Sequence, residues 1–190
     1  MSTLAKFALG VMGQLRPRPA IGKSRPSIKL PAPDKRGGIA LMQAIAKRRS
    51  SREFSPRPLP KPILSSLLWA AFGVNRRNGG RTAPSAIDAQ EIDVYVALPD
   101  GAYLYDARAH ALRLVAASDV RRITGYQDFV DEAPLDLIYV ADHARMRMVP
   151  VAQRESYASA SAGASVASAA ISSPMDSYPR RTSGDPNWSA

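Results

Sequence analysis

Apolar residues recur at two different periods along the chain, and the first of these periods is helical. Within residues 41–46 and again within 63–72, apolar positions are spaced three and four residues apart. Pro62 suits the first turn of the second helix, and Gly73 suits its C-terminal end. The pattern therefore predicts two helices in succession, joined by a proline-rich extended connector.

Beyond residue 90 the period changes to two, which is typical of half-buried strands. Ile92–Leu98 alternates apolar and polar residues, and a Pro-Asp-Gly turn then leads into a second strand that starts at Ala102. The remaining elements are a third strand at 112–115, a short helix at 119–124 capped by Ser118, and a buried strand at 135–141. The order helix, helix, three strands, helix, strand predicts an α+β fold.

The two ends of the chain differ in composition from the region between them. Residues 1–38 contain five prolines among scattered Lys and Arg, so we expect a basic tail with little fixed structure. Residues 39–163 form the expected domain. Residues 164–190, rich in Ser, Ala and Pro, are expected to be a second disordered tail, although residues 154–170 could form an alanine-rich helix. The opening segment 4–12 could be a short amphipathic turn or a degraded targeting signal, and the expected location is otherwise the cytoplasm.

The composition and motifs argue against several kinds of functional site. The 190 residues include no cysteine and two histidines, which excludes disulfides, thiolate metal sites and thiol nucleophiles and argues against a protein-held transition metal. Neither a Walker loop nor a Gly-x-Gly-x-x-Gly turn is present, which disfavours nucleoside triphosphatases and Rossmann enzymes. His110 and His143 lack the companions of a catalytic triad, so we interpret both as structural or surface residues. No apolar run is long enough to span a membrane.

Most of the positive charge lies at the beginning of the chain. The net charge is +10, and residues 1–38 hold eight Lys or Arg against one acid, Asp34. Three anionic partners are compatible with this balance: nucleic acid, an acidic membrane surface and a phosphate-bearing cofactor. A cofactor needs only a few cations in one place, whereas nucleic acid needs many. Whether the chain binds a phosphate-bearing cofactor therefore depends on the cations within the predicted domain.

Two clusters within that domain could carry chemistry. Residues 47–52 place four cations and two serines at the end of the first helix, where they can wrap a phosphate or simply complement the helix dipole. Residues 81–90 end a glycine-bearing loop directly before a strand. Their Pro-Ser-small turn allows close approach of a flat ligand, and Asp88 and Gln90 could hydrogen-bond to ring edges, although an ordinary loop would also fit.

Taken together and in this order, the clusters resemble the nitroreductase family of FMN-dependent oxidoreductases. The resemblance runs from about residue 41 to residue 145 and rests on five segments in register: RRSSREF from 48, LLWAAFGVNR from 67, RTAPSA from 81, EIDVYVA from 91 and LIYVAD from 137. It implies an α+β fold in which helices flank a mixed sheet. The match weakens after residue 163, so the fold is expected to be incomplete at its C-terminus.

The resemblance also implies where the cofactor binds. In that family the arginine–serine motif holds the flavin phosphate and ribityl chain and reaches toward the ring, while the Pro-Ser motif lies beside the ring. The implied cofactor-binding residues are Arg48, Arg49, Ser50 and Arg52 in the first motif and Pro84, Ser85 and Ala86 in the second. Asp88 stands where similar members have asparagine. A carboxylate there accepts hydrogen bonds where the amide would donate, and it disfavours an anionic reduced flavin.

The function implied by the resemblance is hydride transfer from NADH or NADPH to FMN, followed by reduction of a nitroaromatic, a quinone or another small acceptor. The flavin N5 carries this chemistry, so no catalytic side chain and no metal are expected. A homodimer with flavin at the subunit interface is implied, without nucleic acid or stable membrane insertion. Two alternatives stay open: a truncated, non-catalytic relative that binds flavin weakly or not at all, and a basic tail that binds nucleic acid or a membrane surface.

Overall fold

A computed structural model describes residues 2–55 and 57–172 of the chain. Four helices and seven strands follow one another along these residues. They are α1 (Thr3–Val11), β1 (Arg18–Pro19), β2 (Ser27–Lys29), α2 (Leu41–Lys47), α3 (Lys61–Phe72), β3 (Ile92–Leu98), β4 (Gly101–Asp106), β5 (Ala111–Ala116), β6 (Ser118–Asp119), β7 (Asp136–Ala141) and α4 (Val151–Ser172). Short 3₁₀ turns lie at Ala86–Asp88, Arg121–Ile123, Asp128–Glu132 and His143–Arg145.

Five strands form one sheet in the order β2-β5-β4-β3-β7, which confirms the predicted α+β class. All four of its described strand pairs are antiparallel, whereas the family resemblance implied a mixed sheet. Alternate residues of β3 point to the core, because Ile92, Val94 and Val96 are almost fully buried. The predicted hairpin between β3 and β4 is confirmed, with Leu98 opposite Gly101.

Helix α3 covers the core face of the sheet. Pro60 and Pro62 begin this helix, since neither could continue one from upstream. Leu64, Leu68 and Phe72 recur every four residues and join the core of the sheet. Gly73 ends the helix as predicted, and its N–H donates to the carbonyl of Trp69 at 2.7 Å.

The beginning of the chain differs from the expected structureless tail. Helix α1, strand β1 paired with β6, and strand β2 paired with β5 all lie within residues 2–38, and Leu30 is part of the core. The physical reason is long-range pairing: the buried Lys6 forms an ion pair with Asp131, 125 residues away. The prolines are tolerated because the strands are very short and lie at sheet edges.

The C-terminal boundary and one short helix also differ from expectation. Helix α4 continues to Ser172, nine residues past the expected domain end at residue 163, and the alanine-rich helix is confirmed. Small buried residues on α4 let it approach α3 closely. Ser118 belongs to strand β6 instead of capping a helix, and only a 3₁₀ turn follows at 121–123. Residues 173–190, expected to be a tail, lie outside the described residues.

Within the described ranges, no helix is long and apolar enough to cross a membrane.

Candidate functional site

The arginine–serine segment, residues 48–52, leaves α2 in an extended conformation, with φ −60° and ψ 125° at Arg48. The side chains of Arg48, Arg49 and Ser50 are exposed. Across the part of the chain that the structure describes, none of these three side chains has a hydrogen-bond or ion-pair partner. Two guanidinium groups beside a hydroxyl can therefore receive an anion without first breaking another contact.

Arg52 joins this segment to a cavity of about 1020 Å³ along the outer edge of β7. Its guanidinium lies over the Phe129 ring, 5.8 Å from the centroid, and Phe129 and Phe54 both line the cavity. Asp136 is one of the few polar groups in this lining, and Thr124 donates a hydrogen bond to its carboxyl group. Burial raises the pKa of Asp136 to about 6.

The loop before the second cluster is fastened to the end of α3. The Thr82 N–H donates to the Gly73 carbonyl at 2.8 Å, and the Thr82 hydroxyl donates to the Trp69 carbonyl at 3.0 Å. Gly79 has φ +88°, a left-handed conformation that other residues rarely adopt. These contacts fix the point at which Pro84 leaves the loop.

The proline–serine turn, residues 84–88, has a strained backbone. Ile87 and Asp88 have φ values of +50° and +55°, and Gln90, just beyond the turn, has +49°. Left-handed φ is uncommon outside glycine and is an outlier for a β-branched residue. The Ser85 hydroxyl oxygen accepts a hydrogen bond from the Gln90 N–H at 3.0 Å, which closes the turn. Strain of this kind persists where surrounding bonds impose it, and it is frequent at ligand clamps.

Gln90 is the centre of the bonds that impose this conformation. Its side-chain oxygen accepts from Arg81 Nε at 3.2 Å, and its amide donates to the Gly79 carbonyl and the Asp88 carboxylate. Its backbone carbonyl accepts from Arg145, whose guanidinium also makes a forked ion pair with Asp93 at 2.8 and 2.9 Å. The hydrogen bond to Asp93 raises the pKa of Arg145.

Sequence reasoning did not identify Arg145 as part of this site. Its partner Asp93 lies 52 residues earlier, and no local spacing connects the two. The available signal was the position of Arg145 just after strand β7, which pairs with β3. This strand is partly exposed at the sheet edge, so the prediction of a buried strand there is wrong.

Two buried polar groups beside the turn have no hydrogen-bond partner among residues 2–55 and 57–172. Glu91 is fully buried with both carboxylate oxygens unpaired, and Nη1 of Arg81 is likewise unpaired. The Arg81 guanidinium lies 5.0 Å from the Phe72 ring centroid. Burial, and then repulsion from Arg108, lowers the pKa of Arg81. Because unpaired buried groups are costly, they mark where a further ligand or chain would complete the bonding.

The two clusters approach the same helix without touching each other. Helix α2, which precedes the arginine–serine segment, packs against α4, and the turn at Ala86–Asp88 also packs against α4. No hydrogen bond or ion pair joins the two clusters in the described parts of the chain. Each cluster therefore presents its groups separately.

The histidines have the structural roles that the sequence suggested. The half-buried His110 contacts the Ser65 hydroxyl through Nε2 at 2.7 Å and the Tyr105 hydroxyl through Nδ1 at 2.9 Å. Ser65 is fully buried and donates to the Pro31 carbonyl, so this chain of bonds fastens the N-terminal segment to α3 and is not an accessible nucleophile. His143 is exposed. The described residues contain no cluster of acids and histidines that could hold a metal ion.

Comparison with known proteins identifies the same family that the two clusters resemble. Residues 45–172 match the model of the nitroreductase family. A nitroreductase candidate of Methanocaldococcus jannaschii is 32% identical over 121 residues, which cover 58% of this chain and 61% of that protein. The chain thus spans less than two thirds of that relative.

Two solved structures of nitroreductase candidates are also similar to this chain. A crystal structure of a nitroreductase candidate from Ralstonia eutropha JMP134 is 53% identical and has a TM-score of 0.78, covering 83% of this chain and 75% of that one. A second, from Anabaena variabilis, shares the fold at 19% identity, with a TM-score of 0.56 over 70% of this chain and 30% of that one.

Proposed function

Since residues 45–172 place this chain in the nitroreductase family, we propose that it is an FMN-dependent oxidoreductase that uses NADH or NADPH to reduce a nitroaromatic, a quinone or a similar small acceptor. The resemblance drawn from five sequence segments is confirmed, and the family match extends to residue 172 instead of weakening near residue 163. The observation that carries the proposal is the pair of guanidinium groups, Arg48 and Arg49, in the family's phosphate-binding segment, neither of which has a partner among residues 2–55 and 57–172.

The residues present fit a flavin mononucleotide. Arg48, Arg49 and Ser50 offer forked and single donors suited to a phosphate and a ribityl chain. Nη1 of Arg81, which has no partner in the described part of the chain, supplies a further buried donor beside the proline–serine turn. The backbone of that turn is already held in place, so binding would not have to order it.

The mechanism divides between the cofactor and the chain. Bound FMN supplies the acceptance of hydride and its delivery to the second substrate. Arg48, Arg49 and Ser50 would bind its phosphate end, and Arg52, which lies over Phe129, would serve the ring side of this segment. Residues 84–86 would hold the ring. The Asp88 carboxylate would oppose negative charge on a reduced ring, and so it would lower the tendency of the cofactor to accept electrons.

A homodimer is part of the proposal, because the two helices next to the site leave apolar side chains uncovered. None of the described residues of α2 is buried, and the exposed apolar residues here are Ile39, Leu41, Met42, Ile45, Met148, Val151, Tyr157 and Val166. Exposed apolar surface of this extent is typical of protein interfaces. A second copy seated there would bring its own clusters next to the first copy's.

The test is flavin retention by the purified protein. Arg48→Ala with Arg49→Ala removes two charge-assisted contacts, each worth about 1.5–3 kcal/mol, so FMN affinity should fall roughly a hundredfold or more. The matched control is Arg113→Ala, which removes an exposed arginine of β5 whose ion pair with Asp106 on the neighbouring strand β4 is long, at 3.7 Å. Absorbance of bound flavin measures both variants. Equal retention by the double variant and the control would sink the assignment of these arginines.

A non-catalytic relative that binds flavin weakly or not at all is the second candidate, favoured by the absence of any hydrogen bond or ion pair between the two clusters in the described residues. The two candidates differ in one observation. An oxidoreductase takes up added FMN and oxidises NADH or NADPH in the presence of a nitro or quinone acceptor. A non-catalytic relative unfolds cooperatively but stays colourless in excess FMN.

A further inference from the structure

Three arginine side chains meet at the glycine-bearing loop between α3 and the proline–serine turn. A Cβ atom at Gly79 would lie 2.9 Å from Nη2 of Arg108. A Cβ atom at Gly80 would collide with the guanidinium of Arg76. Burial, and then repulsion from Arg108, lowers the pKa of Arg81, so the guanidinium groups of these two residues are also close. Arg76, Arg81 and Arg108 are the loop arginines.

The loop is a closed turn, and it fixes where two of these side chains lie. The Asn75 N–H donates to the Gly80 carbonyl at 3.1 Å. The Gly79 N–H donates to the Arg76 carbonyl at 3.0 Å, and Nη2 of Arg76 donates to the Arg81 carbonyl at 2.7 Å. Because both glycines lack a side chain, the guanidinium groups of the loop arginines can lie directly against the backbone.

The loop arginines lack an anionic partner within residues 2–55 and 57–172. Arg76 donates to a carbonyl oxygen, and Nε of Arg81 donates to the Gln90 amide oxygen at 3.2 Å. The other nitrogens of the Arg81 guanidinium, and the whole guanidinium of Arg108, have no hydrogen-bond or ion-pair partner in that part of the chain. Like charges held this close repel each other, and an anion bound between them would relieve the repulsion.

The carboxylates near the loop arginines are engaged elsewhere or buried. Asp106 accepts hydrogen bonds from two backbone N–H groups and forms an ion pair at 3.7 Å with an arginine of β5. Asp88 accepts from a side-chain amide, and Glu91 is fully buried. Arg145 is paired with the remaining two, which are Asp93 and Asp142. The exposed side of the loop therefore keeps a surplus of positive charge.

We propose that the loop arginines form a binding site for a phosphate monoester, separate from the arginine–serine segment. Forked guanidinium donors match phosphate oxygens, and several of them in one place suit a doubly charged phosphate. A nucleic acid would instead need cations spread along a groove or a helix face. The site adjoins the proline–serine turn, because Gln90 bonds both to Arg81 and to the Gly79 carbonyl.

The proposed function narrows the source of this phosphate, and to that extent the inference rests on the proposed function. NADPH differs from NADH by one phosphate monoester, at the 2′ position of its adenosine. Arginine is the residue that accommodates this phosphate in other dinucleotide-binding proteins. The loop arginines would therefore make the chain select NADPH over NADH. Free inorganic phosphate is the other source of the same chemistry.

The test measures binding to the full chain in excess FMN by isothermal titration calorimetry. Adenosine 2′,5′-bisphosphate carries the distinguishing phosphate of NADPH without its nicotinamide, and it should bind at least about tenfold more tightly than 5′-AMP or inorganic phosphate. Arg108→Ala removes one charge-assisted contact and should weaken bisphosphate binding by about ten- to a hundredfold, with little change for 5′-AMP. Arg108→Lys should restore part of the affinity, since it keeps the charge and loses the fork.

The control is Arg16→Ala, which removes another exposed arginine and should leave every affinity unchanged. Arg16 donates only to the Gly13 carbonyl, and its neighbour Arg18 pairs with Asp119, beyond the far end of β5 from Arg108. Arg108 is itself exposed, so its replacement should not disturb the fold, which circular dichroism checks.

Four results would overturn the proposal. Equal affinity of the native chain for the bisphosphate and 5′-AMP would remove the site, and equal affinity for the bisphosphate and inorganic phosphate would remove its assignment to NADPH. Loss of flavin retention in Arg108→Ala would assign the loop arginines to the phosphate of FMN. Binding of DNA that weakens in Arg108→Ala, without bisphosphate binding, would assign them to nucleic acid. A chain that selects the bisphosphate but takes up no FMN would support the site and contradict the proposed function.

Discussion

The proline–serine turn and the arginine–serine segment carry the same proposed ligand, yet the chain treats them in opposite ways. Gln90, Arg81 and Arg145 hold the turn through side-chain and backbone hydrogen bonds, at the cost of left-handed backbone at Ile87. Arg48 and Arg49, in contrast, have no partner among the residues described. The turn has its conformation before any ligand binds. The arginine side chains of the segment, in contrast, would be ordered only by the ligand itself.

The largest stability effect should come from the turn. Gln90→Leu leaves Arg81 Nε and the Gly79 carbonyl without their partners, so the free energy of unfolding should fall by about 2–4 kcal/mol. Urea denaturation measures it. Arg48→Ala with Arg49→Ala is the matched comparison and should change stability by less than about 0.5 kcal/mol. Equal destabilisation of the two variants would contradict the distinction between a turn held by hydrogen bonds and an arginine–serine segment that is not.

A smaller loss of stability should follow from weakening the ion pair between Arg145 and Asp93, since Arg145 also donates to the Gln90 carbonyl. Arg145→Lys keeps the charge but loses the two-pronged contact with Asp93. Because this ion pair is partly exposed, we expect a loss of about 1 kcal/mol, measured by thermal unfolding. Asp93→Asn in the same background should add little further. A full additional loss would show that the two residues act independently.

Ile87→Gly should raise the stability, in contrast to the two changes above. Glycine relieves the left-handed strain, but it also makes the unfolded chain more flexible, so a gain in stability of about 0.5–1 kcal/mol is the net expectation. Ile87 is exposed, and little packing is lost. The companion change Ala89→Gly, at a residue with ordinary helical backbone, should lower stability. Destabilisation by both changes would mean that Ile87 is not strained.

The pH dependence of stability concerns the cavity beside Arg52. Burial raises the pKa of Asp136 from about 3.9 when unfolded to about 6 when folded. Its contribution to stability is therefore complete below pH 4 and is lost as the pH rises through 6. Asp136→Asn should flatten this part of the profile in urea titrations between pH 4 and pH 7. Asp128→Asn, at an exposed acid nearby, should leave the profile intact.

The parts of the fold that sequence predicted well are those fixed by local periodicity. Helix α3 and the β3–β4 hairpin follow from apolar spacing and from turn residues that act within a few positions. Two of the five segments of the family resemblance, those from 67 and 91, lie largely on α3 and β3. The prediction of the cofactor residues rests on that resemblance and remains a proposal, since their order along the chain does not fix their separation in space.

The errors arose where contacts join distant parts of the chain. Lys6 looked like one more cation in a basic tail, because its partner Asp131 is 125 residues away. Arg145 escaped notice for the same reason, since its role depends on Asp93 and on the Gln90 carbonyl. Helix α4 was underestimated because its alanines and serines give a weak apolar pattern, although small residues suit close packing on α3.

The pairing of β2 with β5 also sets an order of events during synthesis. Ser27 pairs with Arg113, so the first segment to leave the ribosome cannot reach its place until more than eighty further residues have been made. The ion pair of Lys6 waits longer still, for Asp131. Such distant pairings slow folding, and the beginning of the chain waits for its partners throughout this interval. The β2 edge of the sheet can thus be completed only after β5 has been made, and the β7 edge follows later still.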